Sequence, residues 1–415
     1  MPLKPFFVAI IGAAVSLQLL IFANMSYLYG SAYHDGSRYS SMNVLYVDYD
    51  QAVIGESVTT AYNAMKGPSV PTVIQHSPQQ YPTPRDIQQA ICRGDYWGAI
   101  YSTANASTQL SAALSSPQAA QEYDSFHALR YTWSSARYPA YAQGVYSSLV
   151  QITEAAAAVY KQTNGTEVLP SINTSDPSIA QTILDPISVA STDLHPMPQG
   201  VRFYYNTVSM VMPIIIQFFF IMALTGITMQ NNLFSTLSPK QNTLLRFLIS
   251  IIYTFIASLV MTGYIWAFRE DWNVTANQYA LTWMAIWLTM HVHFLIIDFV
   301  TAIVPMPFVP YFILTWIIVN VTSTIGPFEQ SPGFYRLGYV FPAHELYEVL
   351  MDIWTQGCNP HLYRALPILF AEWVLGIGLF VVGMGKRMRV SFRVIFGIRA
   401  VGSQSLRSST AERKV

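Results

Sequence analysis

Hydrophobic and polar positions divide the chain into three kinds of stretch. Phe6–Ala23 is an uncharged apolar run that Met25, Tyr27, Leu28 and Tyr29 prolong. A helix needs roughly 20 such residues to cross about 30 Å of hydrocarbon, and the run reaches that length. A cleaved signal peptide would carry a shorter apolar core, about 7–15 residues, and a small-residue cleavage site. This run ends in Asn, Met and Tyr, which favours an uncleaved anchor. Five more apolar runs come late in the chain: Phe203–Thr228, Phe247–Phe268, Leu281–Val304, Phe308–Ile325 and Leu366–Met384. Each is predicted to span, Phe308–Ile325 near the lower length limit.

Ser31–Gly200 between them has the mixed pattern of a soluble domain. Asn43–Asp50 reads as a strand, Glu56–Lys66 as a helix ending at Gly67-Pro68, and Val70–Gln75 as a second strand. Thr83-Pro84-Arg85-Asp86 is a helix start, with a capping hydroxyl, proline in the first turn and an acid at the positive helix end. That helix is expected to run to Arg93-Gly94, with a strand at Tyr96–Tyr101, a long helix at Tyr141–Gln162 and a strand around Ile183–Val189. Short strands alternating with helices predict an α/β module. The expected fold is an α-helical membrane protein of six transmembrane helices, one plus five, with an α/β extracytosolic domain between the first and second. Its divisions are a first anchor at residues 1–30, the α/β domain at 31–202, a five-helix membrane block at 203–386 with an outer amphipathic loop at 326–365, and a basic cytosolic tail at 387–415.

Composition agrees with this class. Only 11% of the 415 residues are charged and 52% are hydrophobic, against roughly a quarter charged in a typical soluble domain. Acids balance bases, so net charge argues for no nucleic-acid partner. Lys386, Arg387, Arg389, Arg393, Arg399, Arg407, Arg413 and Lys414 crowd the C-terminus, where Glu412 is the only acid. Basic loops stay cytosolic, so the tail orients the chain with both termini in the cytosol. The insert, Arg269–Ala280 and Gly326–Ala365 then lie outside. Candidate glycosylation sequons at Asn105, Asn164, Asn173, Asn273 and Asn320 all avoid the loops predicted to be cytosolic. Asn24 also matches but sits too close to the membrane edge. Cys92 and Cys358 also fall on the outer, oxidising side, where they either bridge or remain two buried thiols.

The chain contains no GxxxxGK[ST], H-E-x-x-H, G-x-S-x-G or paired CxxC, so it carries no P-loop of its own, and no catalytic or cofactor site is assigned. Ionisable residues inside membranes are costly and often functional. Within the spans these are His291, His293, Asp298 and Glu372. His291 and Glu372 fall at depths that allow a contact, and Asp298, seven residues after His291, shares its helix face. They form either a polar seam that handles protons or substrate, or structural glue between helices, as Gln217 and Asn320 also do. Tyr204, Tyr205, Trp266, Trp272, Trp283, Trp354 and Trp373 near span ends read as interfacial anchors.

The loop before the last span reads SPGFYRLGYVFPAHELYEVL. Its apolar positions at Leu346, Val349, Leu350 and Ile353 suit an amphipathic helix lying against the membrane or dipping into it. Tyr335, Arg336, Gly338, Tyr339 and Pro342 match a Tyr-Arg-x-Gly-Tyr-x-x-Pro run, and in this the chain resembles the fungal nitrosoguanidine-resistance membrane proteins. Val44–Asp50 with Gly55, then Ile87–Ile100 with Gly94-Asp95-Tyr96, is similar to the outer domain of permeases related to type-2 ABC exporters. The resemblance implies tolerance to toxic small molecules and, through a yeast relative, lipid asymmetry at the plasma membrane.

Two functions are therefore expected from different classes. One is a permease-like protein that exports hydrophobic small molecules or redistributes lipids, as a homodimer or with a separate ATPase partner. The other is a non-transporting accessory or sensor protein acting through its extracytosolic domain.

Overall fold

The computed structural model describes residues 3–166, 170, 172 and 174–412, and within these the side chains from Lys4 to Arg389. Among the described residues, six helices are long and apolar enough to cross a membrane: Lys4–Ser41, Val208–Gln230, Pro239–Ala267, Ala276–Ile303, Met306–Ile325 and Leu362–Arg389. They contain α1 (Leu3–Ser31), α8 (Val208–Gln230), α9 (Pro239–Ala267), α10 (Ala276–Ile303), α11 (Val309–Ile325) and the start of α13 (Leu362–Glu412). Six such helices are compatible with a multi-pass membrane protein. A further helix, α12 (Pro342–Trp354), is too short to span.

The chain between α1 and α8 builds a five-stranded sheet of order β2-β1-β3-β4-β5. The strands are β1 (Asn43–Asp48), β2 (Thr72–His76), β3 (Gly98–Ser102), β4 (Leu129–Trp133) and β5 (Val189–Asp193). Only the β3–β4 pair is antiparallel. β1 is central and apolar on both faces, as a strand covered on both sides must be. Val44 and Tyr46 join the core under α2 (Val53–Met65) and α6 (Pro139–Tyr160). Leu45 and Val47, pointing the other way, join Ile87 and Ile91 of α3 (Pro84–Cys92).

Local chemistry explains where these elements begin. At the start of α3, the Asp86 carboxylate accepts from both the backbone N–H and the hydroxyl of Thr83. The strand expected at Ile183–Val189 is instead a helix, α7 (Pro177–Leu184), followed by β5. Asp176 caps that helix by accepting from the N–H groups of Ser178 and Ile179, and Pro177 occupies the first turn. The capping signal outweighs the β-branched residues that suggested a strand. Two short helices, α4 (Ala106–Ser115) and α5 (Pro117–Glu122), and strand β4 complete the unit.

The sheet unit and the helices are joined through α12. Ala136, Tyr138 and Met197 belong to one buried cluster with Leu346, Tyr347, Leu350 and Ile286. The Tyr138 N–H donates to the Tyr347 hydroxyl at 2.8 Å. Cys92, the last residue of α3, is disulfide-bonded to Cys358, just past α12. Tyr347→Phe leaves the Tyr138 N–H buried without an acceptor. It is expected to lower stability by about 1–3 kcal/mol, read as a fall in the melting temperature of the detergent-solubilised chain; an unchanged transition would refute the contact's role.

Candidate functional site

The amphipathic helix expected within residues 326–365, lying against the membrane or dipping into it, is α12, and it is buried inside the protein. Ala343 through Met351 are all buried, as is Trp354. The Leu346, Val349 and Leu350 stripe does face apolar neighbours. The polar stripe is buried too: Glu348 is met there by Asn359 and His361, while Glu345 is enclosed without a hydrogen bond among the described residues. Neighbouring helix ends hold the first turn of α12: Asn320 Oδ1 accepts from the Ala343 N–H, and His344 Nδ1 donates to the Ser323 carbonyl.

The five resemblance residues lie in the segment that leads into this helix. The Tyr335 hydroxyl donates to the Tyr27 carbonyl at 2.7 Å, tying α1 to the loop. A Cβ on Gly338 would overlap the Phe328 ring, so this position requires glycine. The Tyr339 ring carries the Arg364 guanidinium 4.4 Å from its centre, Pro342 opens α12, and Arg336 is exposed. In this structure Pro342 begins α12, Gly338 and Tyr339 pack beside Phe328 and Arg364, and Tyr335 ties the loop to α1.

Around α12 lies a buried layer of charge that the sequence reading missed. Glu348 accepts from Asn359 Nδ2 at 2.8 Å and His361 Nδ1 at 2.7 Å. Burial alone would raise the Glu348 carboxyl, but the His361 hydrogen bond and the charges of His344, His361 and Arg137 hold it below the usual carboxylate range. His344 is pushed down by burial; its Nε2 faces Arg364 Nη2 at 3.4 Å. Glu345 is 0% exposed, and among the described residues no hydrogen bond reaches either of its carboxylate oxygens. Its nearest charge is Arg364 Nε at 3.5 Å. Burial, with the Glu348 charge adding to it and Arg364 opposing it, pushes Glu345 up to about 7.

That shift has a definite sign. Between the ordinary 4.5 and about 7 the native state keeps a proton that the unfolded chain has released. The Glu345 contribution to stability is therefore present at low pH, is lost as pH rises through that window, and is flat above it. His344, whose value is lowered, works in the opposite direction. The comparison that isolates Glu345 is wild type against Glu345→Gln. The substitution is expected to gain stability relative to wild type as pH rises from about 5 to 7.5; a constant difference in melting temperature would refute it.

Deeper in the helices, the four ionisable residues expected to form one seam separate into different contacts. Trp373 Nε1 donates to His291 Nδ1 at 2.8 Å. The ring proton must then sit on Nε2, which donates to Ser250 Oγ at 3.0 Å, and Ser250 donates onward to the Phe247 carbonyl. His291 is thus neutral, with both nitrogens occupied. Its partner on α13 is Trp373 and not the expected Glu372, because successive helical residues point about 100° apart. Glu372 lies near enough to Glu345 to feel its charge, and its Oε2 is buried without a hydrogen bond among the described residues. His293 turns to the opposite side, accepting from Trp316 Nε1 at 3.1 Å. Asp298 faces α9 and α13, as His291 does. It accepts from Arg246 Nε at 2.9 Å and Arg387 Nη1 at 3.2 Å. Arg387, counted in the sequence as part of the basic tail, is a buried ion-pair residue.

Of the sequons, Asn105 and Asn273 are exposed and Asn164 is half-buried. Asn173 lies outside the described residues. Asn320 is 0% exposed and bonded on both sides of its amide, so it cannot accept a glycan in the folded protein. Tyr205, Trp272 and Trp354 form a buried aromatic triad and not interfacial anchors, because the sheet unit covers that end of the helices.

Beside this core runs an apolar groove of about 500 Å³ bounded by α9, α10, α12 and α13. Ala285, His291 and Val349 form its buried floor. Leu281 and Phe370, 55% and 48% exposed, form its rim. The groove is therefore open on the lateral surface of the helices. A family model described as a protein of unknown function (DUF3533) matches residues 13–378. No solved structure matches.

Proposed function

The chain belongs to the DUF3533 family, and from its lateral groove we propose that it takes up hydrophobic small molecules or lipids from the membrane and contributes to their export or redistribution. The observation that carries this reading is the groove: about 500 Å³, apolar in lining, and open among exposed Leu281, Phe370 and Leu362. Ligand pockets are mostly apolar with few polar groups. His291 on the floor has both nitrogens occupied, so the depth of the groove adds no unmet charge.

The remaining elements of the reading are proposals of the same kind. The Cys92–Cys358 disulfide supports an oxidising compartment for the sheet unit, hence an extracytosolic domain with cytosolic termini, and the plasma membrane as its location. The resemblance to nitrosoguanidine-resistance proteins and type-2 exporter permeases supports a role in drug tolerance. With no P-loop in the sequence, the energy would come from an ATPase partner or an ion gradient, acting on a homodimer that encloses a full path.

Flux of labelled lipid and of a panel of hydrophobic drugs, in cells with and without the protein, tests the reading. Flux is expected to rise with the wild type and to return to background with Ala285→Trp, which fills the groove. Unchanged flux across the panel would overturn it. A second reading, an accessory or sensor protein, has one observation in its favour: the sheet unit is coupled to α12 by a disulfide and the Tyr138–Tyr347 bond. It predicts that groove-filling variants keep their phenotype while substitutions at that junction lose it.

A further inference from the structure

The groove has one acidic lining residue, Asp352, and among the described residues no basic side chain pairs with it. Asp352, on α12, lines it and is half-buried. Its backbone carbonyl accepts from the Gly357 N–H, but among the described residues no hydrogen bond or ion pair reaches its carboxylate. Elsewhere around α12 the carboxylates face basic side chains: Glu345 faces Arg364, and Glu348 faces His344 and His361. Among the described residues no such group lies within ion-pair distance of Asp352. Burial without a compensating charge pushes its carboxyl up, which is the cost of an unpaired acid at an apolar surface.

The position of that charge matters. Gln278 Nε2 donates to the Ile353 carbonyl, so Asp352 sits level with the first turns of α10. His291 is thirteen residues beyond Gln278 on the same helix, about 20 Å away at 1.5 Å per residue. The groove therefore has a negative group at one end and a neutral, saturated imidazole at the other. Trp287 and Trp373 line the apolar length between them, and aromatic rings attract cations. A neutral ligand would leave Asp352 unpaired, and an anionic one would be repelled by it.

We propose that the groove is a site for lipophilic monocations, with the positive group at Asp352 and the apolar bulk laid along α10 towards His291. This rests on the reading of the groove as the substrate site and adds the charge of the substrate.

Two ions of nearly the same shape and opposite charge, tetraphenylphosphonium and tetraphenylborate, test it by equilibrium dialysis against the purified full-length protein. The cation is expected to bind about tenfold or more tightly than the anion, the size of one charge contact at a half-buried site. Asp352→Asn is expected to weaken the cation by a similar factor and to leave the anion unweakened. Equal binding of the two ions by the wild type, which needs no variant, would overturn the proposal, as would an Asp352→Asn protein that keeps its preference. Ala285→Trp separates the two levels of the argument. If it abolishes binding of both ions while Asp352→Asn changes nothing, the groove stands and its charge selectivity fails. If both ions bind Ala285→Trp as they bind the wild type, the groove is not the site and both readings fail.

Discussion

Asp298→Ala is expected to remove nearly all folded protein from detergent extracts of the membrane. Asp298 is fully buried between two arginines that are themselves 4% and 9% exposed. Arg246 also donates to Thr225 Oγ1, and Arg387 to Thr301 Oγ1 and to the Asp298 carbonyl. The cluster joins α8, α9, α10 and α13 near the end of the helices away from the sheet. Losing the carboxylate leaves two guanidinium groups facing each other in a low-dielectric interior. Breaking a buried pair from one side costs about 3–5 kcal/mol, most of it the stranded charge. That is a large share of a typical folding free energy of roughly 5–15 kcal/mol. The cluster already holds one cation in excess, so the order of effects is informative. Arg387→Met or Arg246→Met leaves a balanced pair and is expected to cost less than Asp298→Ala. The measurement is the monodisperse fraction by size-exclusion chromatography. Asp298→Ala protein eluting and melting as wild type would show that the triad contributes little.

Removing the disulfide is the second large effect expected. Cys92 and Cys358 are 266 residues apart in sequence, so the bond restricts a very long loop in the unfolded chain. Disulfides typically contribute about 2–4 kcal/mol, more for longer loops in the chain-entropy account. Here much of that loss should appear locally, as loosening of the sheet unit from α12, because the non-covalent junction at Tyr138 and Tyr347 remains. Cys92→Ser with Cys358→Ser is expected to lower the melting temperature and to speed hydrogen exchange in α12. Reductant should do the same to the wild type and nothing further to the double variant. If reductant leaves the wild-type transition in place, the bond is not a restraint on the fold.

Much of the local architecture was legible because it depends on near neighbours. The Thr83–Asp86 cap, the doubly apolar β1 and the long apolar runs each declare themselves within a few residues. The errors came where a local pattern had two solutions. Ile183–Val189 carries β-branched residues, yet the Asp176 cap and Pro177 start a helix just upstream. Leu346, Val349 and Leu350 mark an apolar face, but the opposite face is buried as well, with Asn359 and His361 from beyond the helix end meeting Glu348 there.

The candidate site divides the same way. Periodicity placed His291 and Asp298 on one helix face, and both do meet α9 and α13. It could not say which residue of α13 would meet His291, since moving one residue rotates the helix by about 100°. Arg246 offered a usable signal, a base at the very edge of an apolar run. Arg387 was hidden among tail residues that look alike in sequence. Asp352 was invisible as a candidate, because what distinguishes it is the absence of a partner within a groove built from four helices.

By itself, the sequence determined six apolar helices and a strand-and-helix insert, because length, hydropathy and caps act over a few residues. Tertiary structure alone decided that α12 is an interior hub, that His291, His293 and Asp298 go to separate partners, and that Asp352 lines an apolar groove without an ionic partner among the described residues. Those outcomes depend on which charges meet across tens to hundreds of residues, and in a low-dielectric interior a distance of a few ångströms decides whether a charge is paired or stranded.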